Sequence, residues 1–87
     1  MSQITADPAK LRQFAKTLSA SAQQFEQLAR QLQRDLDQTG WRDGERQKFD
    51  ADFHQALRSI RQLTERLNSH FVPQLQRKAE ALERFQA

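Results

Sequence analysis

Apolar residues return at helical spacing from Leu11 to Leu36, in three series whose members lie seven positions apart. Because about 3.6 residues make one turn of an α-helix, three such series adjoin on one side of the helix. A stripe of this width can face two neighbours rather than one. The first series is Leu11, Leu18, Phe25 and Leu32; the second is Phe14, Ser21, Leu28 and Asp35, two of them polar; the third is Ala15, Ala22, Ala29 and Leu36.

The residues at both ends of this stripe are ones that start and stop helices. Asp7 is a suitable N-cap, and Pro8 at the first helical position loses no hydrogen bond, because an N–H there has no partner inside the helix. Gly40 can adopt the left-handed conformation that closes a helix C-terminus. The sequence therefore predicts helix 1 over about residues 8–37 and a turn over residues 38–43.

A second apolar stripe follows the turn. Asp43 is a suitable N-cap, Gly44 begins the next helix, and Glu45 adds negative charge near its positive end. This stripe predicts helix 2 over about residues 44–86. Its members are Phe49, Phe53, Ala56, Leu57, Ile60, Leu63 and Leu67, and then, in a shifted register, Phe71, Leu75, Ala79 and Leu82.

The shift of register coincides with Pro73. Proline removes a backbone donor and its ring clashes with the preceding turn, so we expect a kink near residues 69–73. The alternative is a true break, with a separate helix from Pro73 to Phe85. The kink is favoured, because apolar spacing resumes at once.

A short turn makes the two helices antiparallel neighbours, so the sequence predicts an all-α helical hairpin, one domain over residues 1–87. A single hairpin would leave much of the second and third series wet, including Phe14 and Leu28, and also Phe25. Exposed apolar area of that extent marks an interface. We expect two hairpins to pair into a four-helix bundle, as a homodimer or with a second hairpin protein. The expected dimer interface is Leu11, Phe14, Leu18, Ser21, Ala22, Phe25, Leu28 and Leu32.

Composition excludes several classes of protein. The 87 residues include no cysteine, which rules out disulfides and thiolate metal sites. No apolar run approaches the roughly 20 residues that span a bilayer, so we expect no membrane insertion. The N-terminus lacks the apolar core of a cleavable signal peptide. If the protein is exported, another route must carry it.

Positive charge raises nucleic-acid binding as an alternative function. The net charge is +3, with 14 Lys and Arg against 11 Asp and Glu. Acidic residues are interleaved with the basic ones, and aromatic residues at core spacing are not free to stack on bases. We expect an ordinary solvated surface and no nucleic-acid partner. The basic residues of helix 2 are Arg58, Arg61, Arg66, Arg77, Lys78 and Arg84.

Candidates for catalysis or metal binding are few. Asp50 and His54 lie four residues apart on one helix face and could supply two metal ligands, but no third ligand is evident. His70, close to Pro73, is expected at the surface. No nucleophile–base arrangement and no glycine-rich phosphate loop occurs. We expect no enzymatic activity, no metal and no cofactor.

The turn itself carries the most specific signal. Trp41 is the only tryptophan, and Phe49 follows it eight residues later. With the segment "ITADPAKLRQFAKTLSASAQQFEQLARQL", this order of long helix, Trp turn and long helix resembles the WXG family of early-secreted-antigen (ESAT-like) proteins. Trp41 matches the family's tryptophan and Phe49 its aromatic residue in helix 2. The family reads Trp-x-Gly where this chain reads Trp41-Arg42-Asp43-Gly44, and Asp43 can replace that glycine as an N-cap.

The resemblance implies a hairpin dimer that acts as a secreted substrate, adaptor or effector-interaction protein of type VII secretion, without catalysis. It implies a cytoplasmic location before export, and export without a cleavable signal peptide. The Tyr-x-x-x-Asp/Glu signal of many exported members is missing, because the chain has no tyrosine. A subunit resembling those of secretion needles, which are also small hairpins, is the other candidate. The aromatic residues at the turn favour the WXG family.

Trp41 has two candidate roles. As a lid, its indole would cover the end of the hairpin core and meet Phe49. As a recognition residue, it would contribute to a groove that a secretion component binds. The missing Tyr signal favours the lid.

Overall fold

Two long helical arms joined by a short turn form the part of the chain that this computed structural model describes, residues 6–86 with side chains to Phe85. The first arm is α1, Pro8–Gln38. The second consists of α2, Gly44–Arg66, then a π-helical segment, Leu67–Phe71, and then α3, Val72–Gln86. The arms lie side by side in a rod of 64 × 19 × 18 Å. The all-α helical hairpin predicted from the sequence is confirmed.

The ends of α1 are closed by local hydrogen bonds. The side chain of Asp7 accepts a 2.9 Å hydrogen bond from the Ala9 N–H, and Pro8 occupies the first turn. At the other end the Thr39 hydroxyl donates to the Leu36 carbonyl oxygen at 2.7 Å. Gly40 follows with φ +73°, the left-handed conformation that glycine adopts without strain, and turns the chain towards α2.

Small side chains line the seam where the two arms meet. Ala15, Ala22 and Ala29 of α1 are at most 2% exposed, and they pack against the second arm, whose most buried apolar residues are Leu57 and Ala79. Alanine at these positions lets the backbones approach closely. The third apolar series is therefore covered by the chain's own second arm, and the expectation that it would be wet is wrong.

One buried seam residue is polar. Thr64 of α2 is 5% exposed, and its hydroxyl donates a 2.9 Å hydrogen bond to the Ile60 carbonyl oxygen one turn earlier. Its donor is therefore satisfied within the helix, and burial leaves it no unpaired hydrogen.

The π-helical segment explains the shift of register along the second arm. Leu57 and Thr64 lie seven residues apart, but the next seam position, Val72, comes eight residues after Thr64, and Ala79 again seven later. The Val72 N–H bonds to the carbonyl oxygen of Leu67, five residues back. One wide turn thus absorbs one extra residue and keeps both halves of the arm facing α1.

The π-helical segment also lies next to Pro73, where the sequence allows either a kink or a true break of the helix. The backbone stays helical from Gly44 to Gln86, and the π-helical segment ends two residues before Pro73. A wide turn at this place relieves the clash between the proline ring and the preceding turn.

An ion pair closes the open end of the hairpin. Arg12 of α1 donates to both carboxylate oxygens of Glu83 in α3, from Nε at 3.0 Å and from Nη2 at 2.7 Å. Hydrogen bonding and attraction to Glu83 raise the pKa of Arg12, and the Arg12 hydrogen bond lowers the pKa of Glu83. Both side chains are more than 40% exposed, so the pair fixes geometry more than it adds stability.

Candidate interaction surfaces

One side of the hairpin carries a band of large apolar side chains that the arms do not bury against each other. We call it the apolar face. Its most exposed members keep between 41% and 55% of their surface accessible, which is unusual for large apolar residues in contiguous positions. These members are Phe14, Phe25, Leu28 and Leu32 of α1 and Phe49 and Leu63 of α2.

Two shallow grooves run along this face, and both arms contribute to each. The groove nearer the turn has only apolar lining residues. The groove nearer the open end has an apolar floor and two cations at its rim. The first is lined by Phe25, Leu28, Ala29, Leu32, Ile60 and Leu63, and the second by Phe14, Leu18, Phe71, Gln74, Leu75, Arg77 and Lys78.

Most of the predicted dimer interface lies at the molecular surface of the single chain. Leu11, Leu18 and Ser21 are partly exposed. The more exposed members are Phe14, Phe25, Leu28 and Leu32. Ala22 is the exception, because it is 0% exposed inside the seam and has no surface to offer a partner. Its assignment to the interface is corrected.

The second arm also contributes to this face, which the predicted interface did not include. Ile60, Leu63, Phe71 and Leu75 line the two grooves together with α1. The apolar stripe of helix 2 was visible, but nothing in the spacing told which of its members would face α1 and which would turn outward.

Charge is distributed unevenly along the apolar face. Near the turn, Asp52 follows Phe49 by three residues and so lies beside it on the helix surface. Near the open end, Arg77 and Lys78 border the groove that contains Phe14. An acidic side chain thus lies beside the face near the turn, and two basic side chains border its groove near the open end.

Aromatic side chains cluster at the turn. The Trp41 and Phe49 rings have centroids 5.3 Å apart and are tilted by 55°, and the Phe49 and Phe53 rings are stacked at 5.2 Å. Trp41 is partly exposed. Trp41 thus covers one side of Phe49 and leaves part of its own surface to solvent, an arrangement compatible with both candidate roles.

Asp43 holds two donors with a single oxygen. Its Oδ1 accepts a 3.0 Å hydrogen bond from the Glu45 N–H, which caps α2, and a 2.8 Å hydrogen bond from Nε1 of Trp41. Gly44, the next residue, begins α2. Asp43 therefore links the start of the helix to the tryptophan side chain.

Arg46, in the first turn of α2, connects the turn to both arms, and sequence reasoning missed it. Its guanidinium donates from Nε to Asp50 Oδ1 at 2.8 Å, from Nη1 to the Trp41 carbonyl oxygen at 2.8 Å, and from Nη2 to Asp37 Oδ1 at 3.1 Å. The hydrogen bond to Asp50 and then the one to Asp37 raise the pKa of Arg46. The side chain is 16% exposed. The only signal in the sequence was the i,i+4 spacing of Arg46 and Asp50.

The candidate metal ligands have other partners. The Asp50 carboxylate accepts from Arg46, and Nδ1 of His54 lies 2.8 Å from the Asp50 carbonyl oxygen. Within residues 6–86, no three His, Asp or Glu side chains come together in a way that could hold a metal ion. In that same part of the chain, no helix is long and apolar enough to cross a membrane.

Comparison with known proteins gives one match. The family model WXG100, described as proteins of 100 residues with WXG, matches residues 3–85. No curated protein and no solved structure matches the chain. The resemblance predicted from the sequence is confirmed over nearly its whole length, although Asp43 stands where the motif has glycine.

Proposed function

The chain belongs to the WXG100 family, and from that premise we propose that it is a non-enzymatic, dimer-forming protein that serves type VII secretion as a substrate or adaptor. The family implies small helical proteins of the secreted type that act through protein–protein contacts. In this proposal the protein resides in the cytoplasm before export and leaves without a cleavable signal peptide. The observation that carries the proposal is the apolar face.

The buried core of one hairpin is small, so the fold needs the additional burial that a partner on the apolar face would provide. Among residues 6–85, whose side chains the structure describes, the buried apolar residues are four alanines, Leu57 and Pro8, and no large side chain is fully buried. Burial of alanine removes little apolar area from water, and domains of this size have little stability to spare. Covering the apolar face with a partner would supply the missing burial.

A second copy of the chain is the proposed partner, and the charges of the apolar face favour an antiparallel pairing. With full overlap about the middle of the second arm, Glu65, such a pairing brings Asp52 level with Lys78 of the partner subunit. In a parallel pairing, Asp52 would instead lie level with Asp52 of the partner subunit, so like charges would meet. Antiparallel pairing also places α1 on α1 of the partner, where the small Ser21 lies near the large Phe25 of the partner subunit.

The molar mass in solution tests this function. We expect sedimentation equilibrium at low micromolar concentration to give twice the 10.2 kDa of one chain. A fully helical protein that stays at 10.2 kDa would contradict the proposal. A mass that keeps growing with concentration would instead support the needle-like alternative.

A substitution on the apolar face separates association from folding of the arm. Phe25 is 41% exposed in the single chain, so Phe25→Asp leaves the seam intact but places a charge in the proposed interface. We expect loss of the dimer. Gln23→Asp, an equal change at an exposed position on the far side of α1, is the matched control and should remain dimeric.

A further inference from the structure

Trp41 is held by three hydrogen bonds and one ring contact. Its indole N–H donates to Asp43 at 2.8 Å, and its backbone carbonyl accepts from Arg46 at 2.8 Å. The backbone N–H of Trp41 also donates to the Thr39 hydroxyl at 3.2 Å. Contact with the Phe49 ring restricts the indole further.

We propose that Asp43 and Arg46 are positioning residues that hold the indole of Trp41 in one orientation before any partner binds. This inference rests on the proposed function, since a preset indole matters only where the turn end is a surface that a partner recognises. A side chain already ordered in the free protein loses less conformational entropy on binding. The two residues would therefore act on recognition through Trp41 without touching the partner themselves.

The departure from Trp-x-Gly supports the assignment of Asp43. Glycine is nearly as good an N-cap as aspartate, so capping alone gives little reason for a carboxylate here. Glycine has no side-chain acceptor, however, and could not receive the Trp41 indole N–H. The carboxylate of Asp43 supplies that acceptor while it still caps α2.

The geometry of Arg46 supports its assignment. Its three donors reach α1 through Asp37, the turn through the Trp41 carbonyl, and α2 through Asp50. The planar guanidinium can serve three acceptors in fixed directions, whereas the ammonium group of lysine is a single point of charge. Arg46 thereby ties the backbone of Trp41 to both arms.

The experiment on Asp43 compares Asp43→Gly, which restores the family motif, with Asp43→Asn, which retains an acceptor and a cap. Trp41 is the only tryptophan and the chain has no tyrosine, so the near-ultraviolet circular dichroism of indole reports on this residue alone. We expect Asp43→Gly to lose that signal and to raise quenching of Trp41 fluorescence by acrylamide. Helix content and melting temperature should change little, and Asp43→Asn should keep the wild-type spectrum. An unchanged spectrum in Asp43→Gly would overturn the proposal for Asp43.

The experiment on Arg46 uses the same spectrum. Arg46→Met should weaken the circular dichroism signal of the indole, and Arg46→Lys should weaken it less. Arg42→Met, at an exposed neighbouring position, should not alter the signal. If Arg46→Met unfolds, Asp37→Ala removes one acceptor of Arg46 and should still raise acrylamide quenching. Wild-type quenching in the folded variants would reject the role of Arg46. These spectra are recorded in the absence of any secretion component, and they report on Trp41 in the monomer and in the dimer alike. A monomeric wild type would therefore refute the proposed function without changing what the spectra say of Asp43 and Arg46.

Discussion

Alanine at the seam shows how single residues set the distance between the arms. Ala22 and Ala29 are 0% exposed, so a larger side chain at either position has no space unless the arms separate. Their role is a property of one chain, whereas in the proposed dimer the residues of the apolar face act only when the partner is present. Substitutions at the two kinds of position should therefore respond differently to protein concentration.

Overpacking the seam tests this distinction. We expect Ala22→Leu to lower the free energy of unfolding by about 1–3 kcal/mol, as overpacked cores do, and to do so at every protein concentration. Ala20→Leu, at an exposed position of the same helix, should be nearly neutral. Urea unfolding at two concentrations measures both variants. An effect of Ala22→Leu that disappears in the monomer would return Ala22 to the dimer interface.

The ion pair at the open end predicts a pH dependence. Because Arg12 lowers the pKa of Glu83 in the folded chain, the pair stabilises the fold above the pKa of an unfolded glutamate. That contribution is lost as the pH falls through the lowered pKa of Glu83. Glu83→Gln should therefore melt below wild type at neutral pH and approach it in acid. A gap that stays constant across this range would mean that the pair does not contribute.

At the scale of elements, the π-helical segment reconciles two heptad registers in one arm. Leu57 and Thr64 before it, and Val72 and Ala79 after it, all face α1 because the wide turn accommodates one extra residue. Without the π-helical turn, an α-helix of the same length would rotate α3 by about 100° and carry Ala79 out of the seam. The π-helical segment thus keeps the residues on both sides of it in register with α1.

A single-residue deletion tests that role. Removing Ser69 makes every seam spacing seven residues, so a regular α-helix can face α1 throughout. We expect this deletion, made in a Pro73→Ala background to relieve the ring clash, to fold and melt near its parent. Removal of Gln24 in the same background breaks the spacing of Ala22 and Ala29 and should be strongly destabilising. Thermal unfolding followed by circular dichroism gives the melting temperature of both proteins. An equal loss of melting temperature in the two would contradict the proposed role of the π-helical segment.

For the whole molecule, the charges beside the apolar face favour one orientation of the proposed dimer. Asp52 lies beside the face near the turn, and Arg77 and Lys78 border it near the open end, so these charges complement each other between two reversed chains. Antiparallel pairing uses this complementarity twice, once at each end of the bundle. Parallel pairing would oppose like charges.

Exchange of two charges tests the orientation. Asp52→Lys and Lys78→Asp should each weaken the dimer, by up to about 1 kcal/mol for each exposed pair. The double variant should recover the affinity, because the exchanged charges meet again across an antiparallel interface. Sedimentation equilibrium at low salt measures all four proteins. Additive losses in the double variant would exclude this pairing.

The sequence by itself determined both long helices, their caps and the turn. These features depend on interactions within a few residues, such as the Asp7 and Asp43 caps and the left-handed Gly40, and on a periodicity that any helix must follow. The family was likewise readable from Trp41 and Phe49 within that frame. These features depend only on residues that are close together in the chain, so a single sequence is enough to predict them.

Only the tertiary structure decided which apolar series faces the other arm. Three adjoining series differ by small rotations about the helix axis, and the choice of the alanines for the seam depends on how closely two backbones can approach. The triple contact of Arg46 was equally hidden, because its acceptors lie nine residues before, five before and four after it in the chain. The Asp50 contact is local to α2, but the contact with Asp37 exists only once the hairpin has closed and brought Asp37 beside α2.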